Sequence, residues 1–214
     1  MKHHVSLSFI DFSIHLSGRN NYLCGMKDDG LIIRPAVPED ADLIARVVAM
    51  GIGDERVLCD YCGADYLATL SEIAMLEDSQ YSYRNTLVAE RNGVAIGAAV
   101  GYDGAHLSEL RSRTLSVIKS RLGRELSITD ETGPGEFYLD SLAVLPDYRG
   151  VGAGRTLLSA MRDKAFAEGH KRVGLIVDCE NPRAEALYAS LGFKRVGEKD
   201  FFGHAMWHMQ VVRL

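Results

Sequence analysis

A loop of alternating glycines, Tyr148-Arg149-Gly150-Val151-Gly152-Ala153-Gly154, constrains this 214-residue chain more than any other segment. An apolar run from Phe137 to Leu145 precedes it and an amphipathic run from Arg155 to Glu168 follows, so it joins a strand to a helix. Glycine lets the backbone turn tightly there, with no Cβ to hold a ligand away. The amides left unpaired at the helix start, together with the helix dipole, make an anion site suited to a diphosphate. The loop lacks the Gly-Lys-Ser/Thr ending of a nucleotide P-loop. It is also not the dinucleotide fingerprint, which needs Gly-x-Gly-x-x-Gly early in a βαβ unit and an acidic residue after the next strand.

What remains is Arg-x-x-Gly-x-Gly, carried by Arg149, Gly152 and Gly154. A second segment follows the strand-like run Arg172 to Asp178. It reads Asn181-Pro182-Arg183-Ala184-Glu185-Ala186-Leu187-Tyr188-Ala189-Ser190-Leu191-Gly192-Phe193. Asn181 suits a helix N-cap and Pro182 the first helical position. Ala184, Leu187, Tyr188 and Leu191 recur at helical spacing, and Gly192 is placed to end the helix. In order and spacing the two segments resemble the signatures of the GNAT superfamily of N-acetyltransferases, and the resemblance runs from about Leu31 to the C-terminus.

That resemblance implies acetyl-CoA as co-substrate, with no metal. It implies cofactor contacts from Leu142, Ala143 and Val144, and from Arg149, Gly150, Val151, Gly152, Ala153, Gly154 and Arg155. Asn181 and Tyr188 complete the set. A backbone N–H near Leu142 would hold the thioester carbonyl, and Tyr188 would face the thiol and donate to it. The implied acceptor is a primary amine on a small molecule or a protein N-terminus.

Amide formation also calls for a base, because an ordinary amine is mostly protonated at neutral pH. Period-two alternation puts Glu136, Tyr138, Asp140 and Leu142 on one face of the central strand. Glu136 sits where several family members place a basic carboxylate, and Asp140 is the alternative. A covalent route through Cys179, close to where the family's pantetheine arm passes, competes with direct transfer in a ternary complex. No His adjoins Cys179 in sequence to lower its pKa, which favours direct transfer. A non-catalytic acyl-CoA-binding or sensing module is the second functional class. Retention of Tyr188 and two candidate base carboxylates favours the enzyme.

Composition agrees with one soluble domain: 47% hydrophobic and 25% charged residues. The net charge of −5 argues against a nucleic-acid partner, which needs a basic field. No apolar run approaches the roughly 18 residues needed to span a membrane. The first residues lack a secretory pattern, so a cytoplasmic location is expected. Cys59-Asp60-Tyr61-Cys62 has C-x-x-C spacing, but no second pair completes a zinc set, which leaves ordinary thiols.

The expected fold is α+β (mixed α/β): a mostly antiparallel mixed sheet flanked by helices. Residues 1–30 read as an N-terminal extension, with Met26 as an alternative start, and residues 31–214 as the domain. The expected strands are Leu31–Ala36, Asn85–Arg91, Val94–Gly101, Glu136–Leu145, Arg172–Asp178, Phe193–Glu198 and Ala205–Val212. Helices are expected from Pro38 to about Met50 and from Ala64 to Glu77, and Lys199 to His204 reads as a loop. Between the hairpin and the central strand lies an insertion, Asp103 to Gly135. Leu107, Leu110, Thr114, Ile118 and Leu122 mark its first half as an amphipathic helix, made locally basic by Arg111, Arg113, Lys119, Arg121 and Arg124. Three roles stay open for it: a packing element, a wall of the acceptor pocket, or the contact of a homodimer.

Overall fold

The computed structural model describes residues 30–213. The expected extension, the alternative start at Met26 and Cys24 lie outside the described residues. Seven strands form one sheet in the order β1-β2-β3-β4-β5-β7-β6. They are β1 Leu31–Pro35, β2 Thr86–Arg91, β3 Val94–Asp103, β4 Phe137–Val144, β5 Arg172–Asp178, β6 Lys194–Phe201 and β7 His204–Val212. Every neighbouring pair is antiparallel except β4 and β5.

Among the described residues, six α-helices accompany the sheet. Helices α1 Ala41–Ile52, α2 Glu55–Cys62, α3 Tyr66–Met75 and α4 Leu107–Leu122 precede β4. Helix α5 Ala153–Ala167 follows it, and α6 Pro182–Ala189 links β5 to β6. On one face, α5 buries Leu157, Leu158 and Met161 against Phe137, Leu139 and Leu175. On the other, Ile44 and Val48 of α1 and Ile73 of α3 pack on Val88, Ala98 and Val100. Each such aliphatic side chain contributes about 1.5–3 kcal/mol by leaving water.

Helix α2 escaped the sequence reading. Asp54 caps it, its carboxylate accepting from the amides of Arg56 and Val57, and its eight residues are too few to show a helical period. The expected loop from Lys199 to His204 is mostly strand. Strands β6 and β7 pair as far as Phe201 and His204, leaving only Phe202-Gly203 as the turn. Both turn residues have positive φ, 52° and 80°, as a two-residue hairpin with the sheet's twist requires.

A bulge in β4 decides where the site lies. Val100 pairs with Ser141 and Gly101 with Leu139, so Asp140 is the extra residue. Phe137 and Leu139 therefore face α5, Tyr138 faces the opposite side, and beyond the bulge Leu142 and Val144 return to the α5 core. Leu142 thus does not share a face with Glu136, Tyr138 and Asp140, because simple alternation fails at the bulge. Beside it, β4 pairs with β5 only at Phe137–Val173 and Tyr138–Gly174. Past those residues the two strands part, and a cleft opens between them.

Candidate active site

The cleft widens into a cavity of about 260 Å³. Asp140, Ser141 and Leu142 line it from β4, and Ile176 and Asp178 from β5. Tyr188 closes one side from α6, Tyr61 another from α2, and Phe201, Phe202 and His204 come from the β6–β7 hairpin. The insertion contributes Arg111, Ile128 and Glu131. Insertion and hairpin thus both line this cavity.

Asp140 accepts hydrogen bonds from the Tyr102 hydroxyl at 2.7 Å and from Ser141 Oγ at 2.9 Å. Burial, and then the charge of Glu131, push its pKa up to about 6, although those two donors and the Arg111 charge pull the other way. A carboxylate shifted in that direction can take up a proton closer to neutral pH than an ordinary one. Glu136, just ahead of β4, sits differently. Its carboxylate accepts from Thr132 Oγ1 at 2.8 Å and Gln210 Nε2 at 2.6 Å, and lies 3.1 Å from His208 Nε2. Burial raises its pKa, but the hydrogen bonds from His208, Thr132 and Gln210 outweigh that and lower it. The carboxylate occupies the space over Gly174 where any Cβ would collide, and Glu136 does not line the cavity. It ties β4 to β7 at the foot of the cleft.

Tyr188 packs its ring on Phe193, with centroids 6.1 Å apart. Burial pushes its pKa up to about 12, so the hydroxyl keeps its proton. Asn181 caps α6 by accepting from the Ala184 amide at 3.1 Å, with Pro182 in the first turn, and Gly192 turns the chain away at φ 91°.

On the other side of Leu142 lies the glycine loop. Gly150 and Gly152 have φ of 85° and 84°, and a Cβ on either would meet open space. The loop is therefore bare on its outer side while its backbone adopts a form that side chains resist. Gly154 rests over the side chains of Leu142 and Val144, and Ala153 is buried. Val151 packs into the α5 core, whereas Ala143 packs into the opposite one. Arg149 Nε donates back to the Val144 carbonyl at 3.3 Å, and Arg155 donates to Ser190 Oγ at 2.7 Å. Each arginine spends one of its five N–H donors there, so the loop offers an anion the remaining guanidinium donors as well as the first amides of α5. Bare glycines, helix amides and an adjoining cavity fit the diphosphate and thiol arm of a coenzyme A.

The thiols add little. Cys62 is buried, with its pKa pushed up to about 12 by burial, and Cys179 lies outside the cavity lining with a raised pKa. Among the described residues no group of three His, Cys, Asp or Glu side chains is placed to hold a metal. No described helix is long and apolar enough to cross a membrane.

Sequence reasoning missed Gln80, Tyr81 and Tyr102 around Asp140. Gln80 and Tyr81 fall in an aperiodic polar stretch, so no local signal marks them. The sequence marks Arg111 only as one of the cations that make the insertion locally basic. Here it is buried, donating to Asp130 at 2.7 Å and to Glu131.

A sheet that parts beside a bulged central strand, with a glycine loop at one end of the cleft and a helix-borne tyrosine at the other, defines an acetyl-CoA-type acyltransferase fold. The model of the acetyltransferase (GNAT) family matches residues 56–193, and the chain belongs to that family, whose members use acetyl-CoA. Among its relatives is N-alpha-acetyltransferase RimI of Mycobacterium tuberculosis, 39% identical over 116 residues, which are 54% of this chain and 56% of that protein. The chain spans about half the length, or less, of the curated relatives it matches. A solved structure described as an acetyltransferase superposes with a TM-score of 0.71 at 35% identity, covering 85% of this chain and 98% of the other. The fold is shared with yncA of Salmonella typhimurium, a putative acetyltransferase solved with its cofactor acetyl-CoA, at a TM-score of 0.53 and 22% identity over 85% and 93% of the two chains.

Proposed function

We propose that the protein is an acetyl-CoA-dependent N-acetyltransferase that acetylates a primary amine by direct attack in a ternary complex. One observation carries the reading: the cleft between β4 and β5 brings the base-like Asp140 and the protonated Tyr188 into one cavity beside the glycine loop. Acetyl-CoA supplies the acetyl group as a thioester. The amides of Gly150 to Arg155 would hold its diphosphate, and the β4 edge near Leu142, left unpaired by β5, would hold the carbonyl. Asp140 takes the proton of the incoming amine, in preference to Glu136, which is already occupied by three partners. Tyr188 donates a hydrogen bond to the departing sulfur. Cys179 has no part, since its raised pKa and its place outside the cavity lining both oppose a thiolate nucleophile. The similarity to an N-alpha-acetyltransferase supports a protein or peptide N-terminus as one acceptor class.

The test is CoA release from acetyl-CoA in the presence of pooled amines and N-terminal peptides. Amine-dependent release is expected, and Tyr188→Phe should lower kcat by about 10²- to 10⁴-fold with little change in acetyl-CoA affinity. Tight acetyl-CoA binding without amine-dependent release would make the chain a binding module instead.

A further inference from the structure

We propose that the rings of Tyr61, Phe201 and Phe202 form a subsite for a bulky apolar group beside the acceptor's amine, an aromatic group above all. The inference rests on the transferase reading above and names the acceptor's class. The three rings line the cavity together with Asp140 and Tyr188. They make one continuous surface: the Phe202 ring centroid lies 4.5 Å from that of Phe201 and 5.9 Å from that of Tyr61. Two elements build it, since Tyr61 comes from α2 and the phenylalanines from the β6–β7 hairpin.

This surface is open to a ligand. Phe202 leaves 38% of its surface exposed, and Phe201 is half-buried. The Tyr61 hydroxyl lies 3.4 Å from that of Tyr81, so its polar end already has a partner. At Phe202 the backbone has a φ of 52°, a form that glycine adopts freely and phenylalanine resists. A large apolar side chain is thus held in the cavity wall against the local preference of the backbone. Exposed rings gain when a ligand's apolar surface covers them, and a ligand's ring gains further by packing edge to face.

The charged groups of the lining point to the same occupant, because they are engaged with one another. Arg111 donates to Asp130 at 2.7 Å and to Glu131. His204 Nδ1 lies 3.2 Å from Asp178 Oδ2, and the other oxygen of Asp178 accepts from the Glu180 amide at 2.7 Å. Among the described residues that line the cavity, Arg111 and His204 are the candidate cations, and each already faces a carboxylate of the protein. A carboxylate on the acceptor would therefore meet no spare positive charge. A second ammonium would have to compete with His204 for Asp178 or with Arg111 for Glu131. A hydroxyl would exchange water for aromatic carbon. An apolar group gains simply by leaving water.

The experiment uses the full chain in two arms. One arm compares phenethylamine, hexylamine, ethylamine, β-alanine and diaminopropane, and the other compares the tripeptides Phe-Gly-Gly, Ala-Gly-Gly and Asp-Gly-Gly. Turnover is read as CoA release, and binding by calorimetry in the presence of CoA. Each methylene buried contributes about fourfold, so phenethylamine and hexylamine should exceed ethylamine by about 10- to 100-fold in kcat/KM and in affinity. A leading Phe should exceed a leading Ala in the same way, and the arm with the higher values tells whether the group belongs to a small amine or a peptide N-terminus. Phe202→Gly, checked for folding by circular dichroism, should cut the phenethylamine-to-ethylamine ratio by about tenfold. Equal values within both arms, a preference for the charged members, a ratio unchanged in Phe202→Gly, or no binding in either arm would overturn the subsite. Selective binding of the apolar members without CoA release would uphold it and count against the transferase reading instead.

Discussion

Asp140 is a half-buried carboxylate in the cavity wall, and its proposed role and its cost share that origin. Its pKa rises from 3.8 to about 6, first through burial and then through Glu131. Between those values the folded protein holds a proton that the unfolded chain has lost, so stability falls as pH rises through the window. Asp140→Asn cannot ionise. It is expected to be more stable than the parent above about pH 6, by something on the order of 1 kcal/mol, and to lose that advantage as pH falls towards about 4. Its kcat/KM should fall by about 10²-fold or more, and the acidic limb of the pH–rate profile near pH 6 should disappear. Glu136→Gln is the contrasting variant. The pKa of Glu136 is lowered, so its contribution is present above the ordinary carboxylate range and fades as pH falls. Losing it should lower stability by about 1–3 kcal/mol while leaving the acidic limb in place. If Glu136→Gln removes the limb and Asp140→Asn keeps it, the base is Glu136.

At the scale of elements, legibility depended on whether the signal was local. Asn181, Pro182 and Gly192 each act on their own backbone, and the helix carrying Tyr188 starts and stops where they indicate. The alternating glycines likewise mark the start of α5. The bulge at Asp140 was not legible, because it depends on how β3 pairs with β4, and it moves Leu142 off the face that alternation assigns. The β6–β7 turn was hidden for a similar reason. Phe202-Gly203 carries half of a turn signature, and a phenylalanine at φ 52° persists only where its surroundings hold it. Its ring lies 4.5 Å from that of Phe201 and 5.9 Å from that of Tyr61, and all three line the cavity. Phe202→Gly should relieve about 1–2 kcal/mol of backbone strain, offsetting the lost ring contacts, so Tm should hold. The KM for the acceptor should rise while that for acetyl-CoA stays put. A lowered Tm with untouched acceptor kinetics would reduce the turn to a packing element.

Across the whole molecule, the insertion read as a basic helix is nearly neutralised by the rest of the chain. Arg113 meets Asp78 at 3.3 Å, Arg121 meets Glu72 at 2.6 Å and Lys119 meets Glu125 at 2.6 Å. These pairs are exposed and contribute little individually. Of the apolar stripe, Leu107, Thr114 and Ile118 are buried inside the protein, while Leu110 and Leu122 are half-buried. Arg111 and Glu131 differ from the exposed pairs: both are buried, and they lock α4 to the segment that returns to β4. A buried ion pair is hard to break singly because the survivor is left charged without water or partner. Arg111→Met should therefore lower the stability measured by urea unfolding by about 3–5 kcal/mol. The double variant Arg111→Met/Glu131→Met removes both charges, keeps apolar volume and should recover much of that loss. The double-mutant cycle decides the matter: additive losses would mean that the two side chains stabilise the fold independently. Strong coupling would make the pair the clamp that holds the insertion over the cavity.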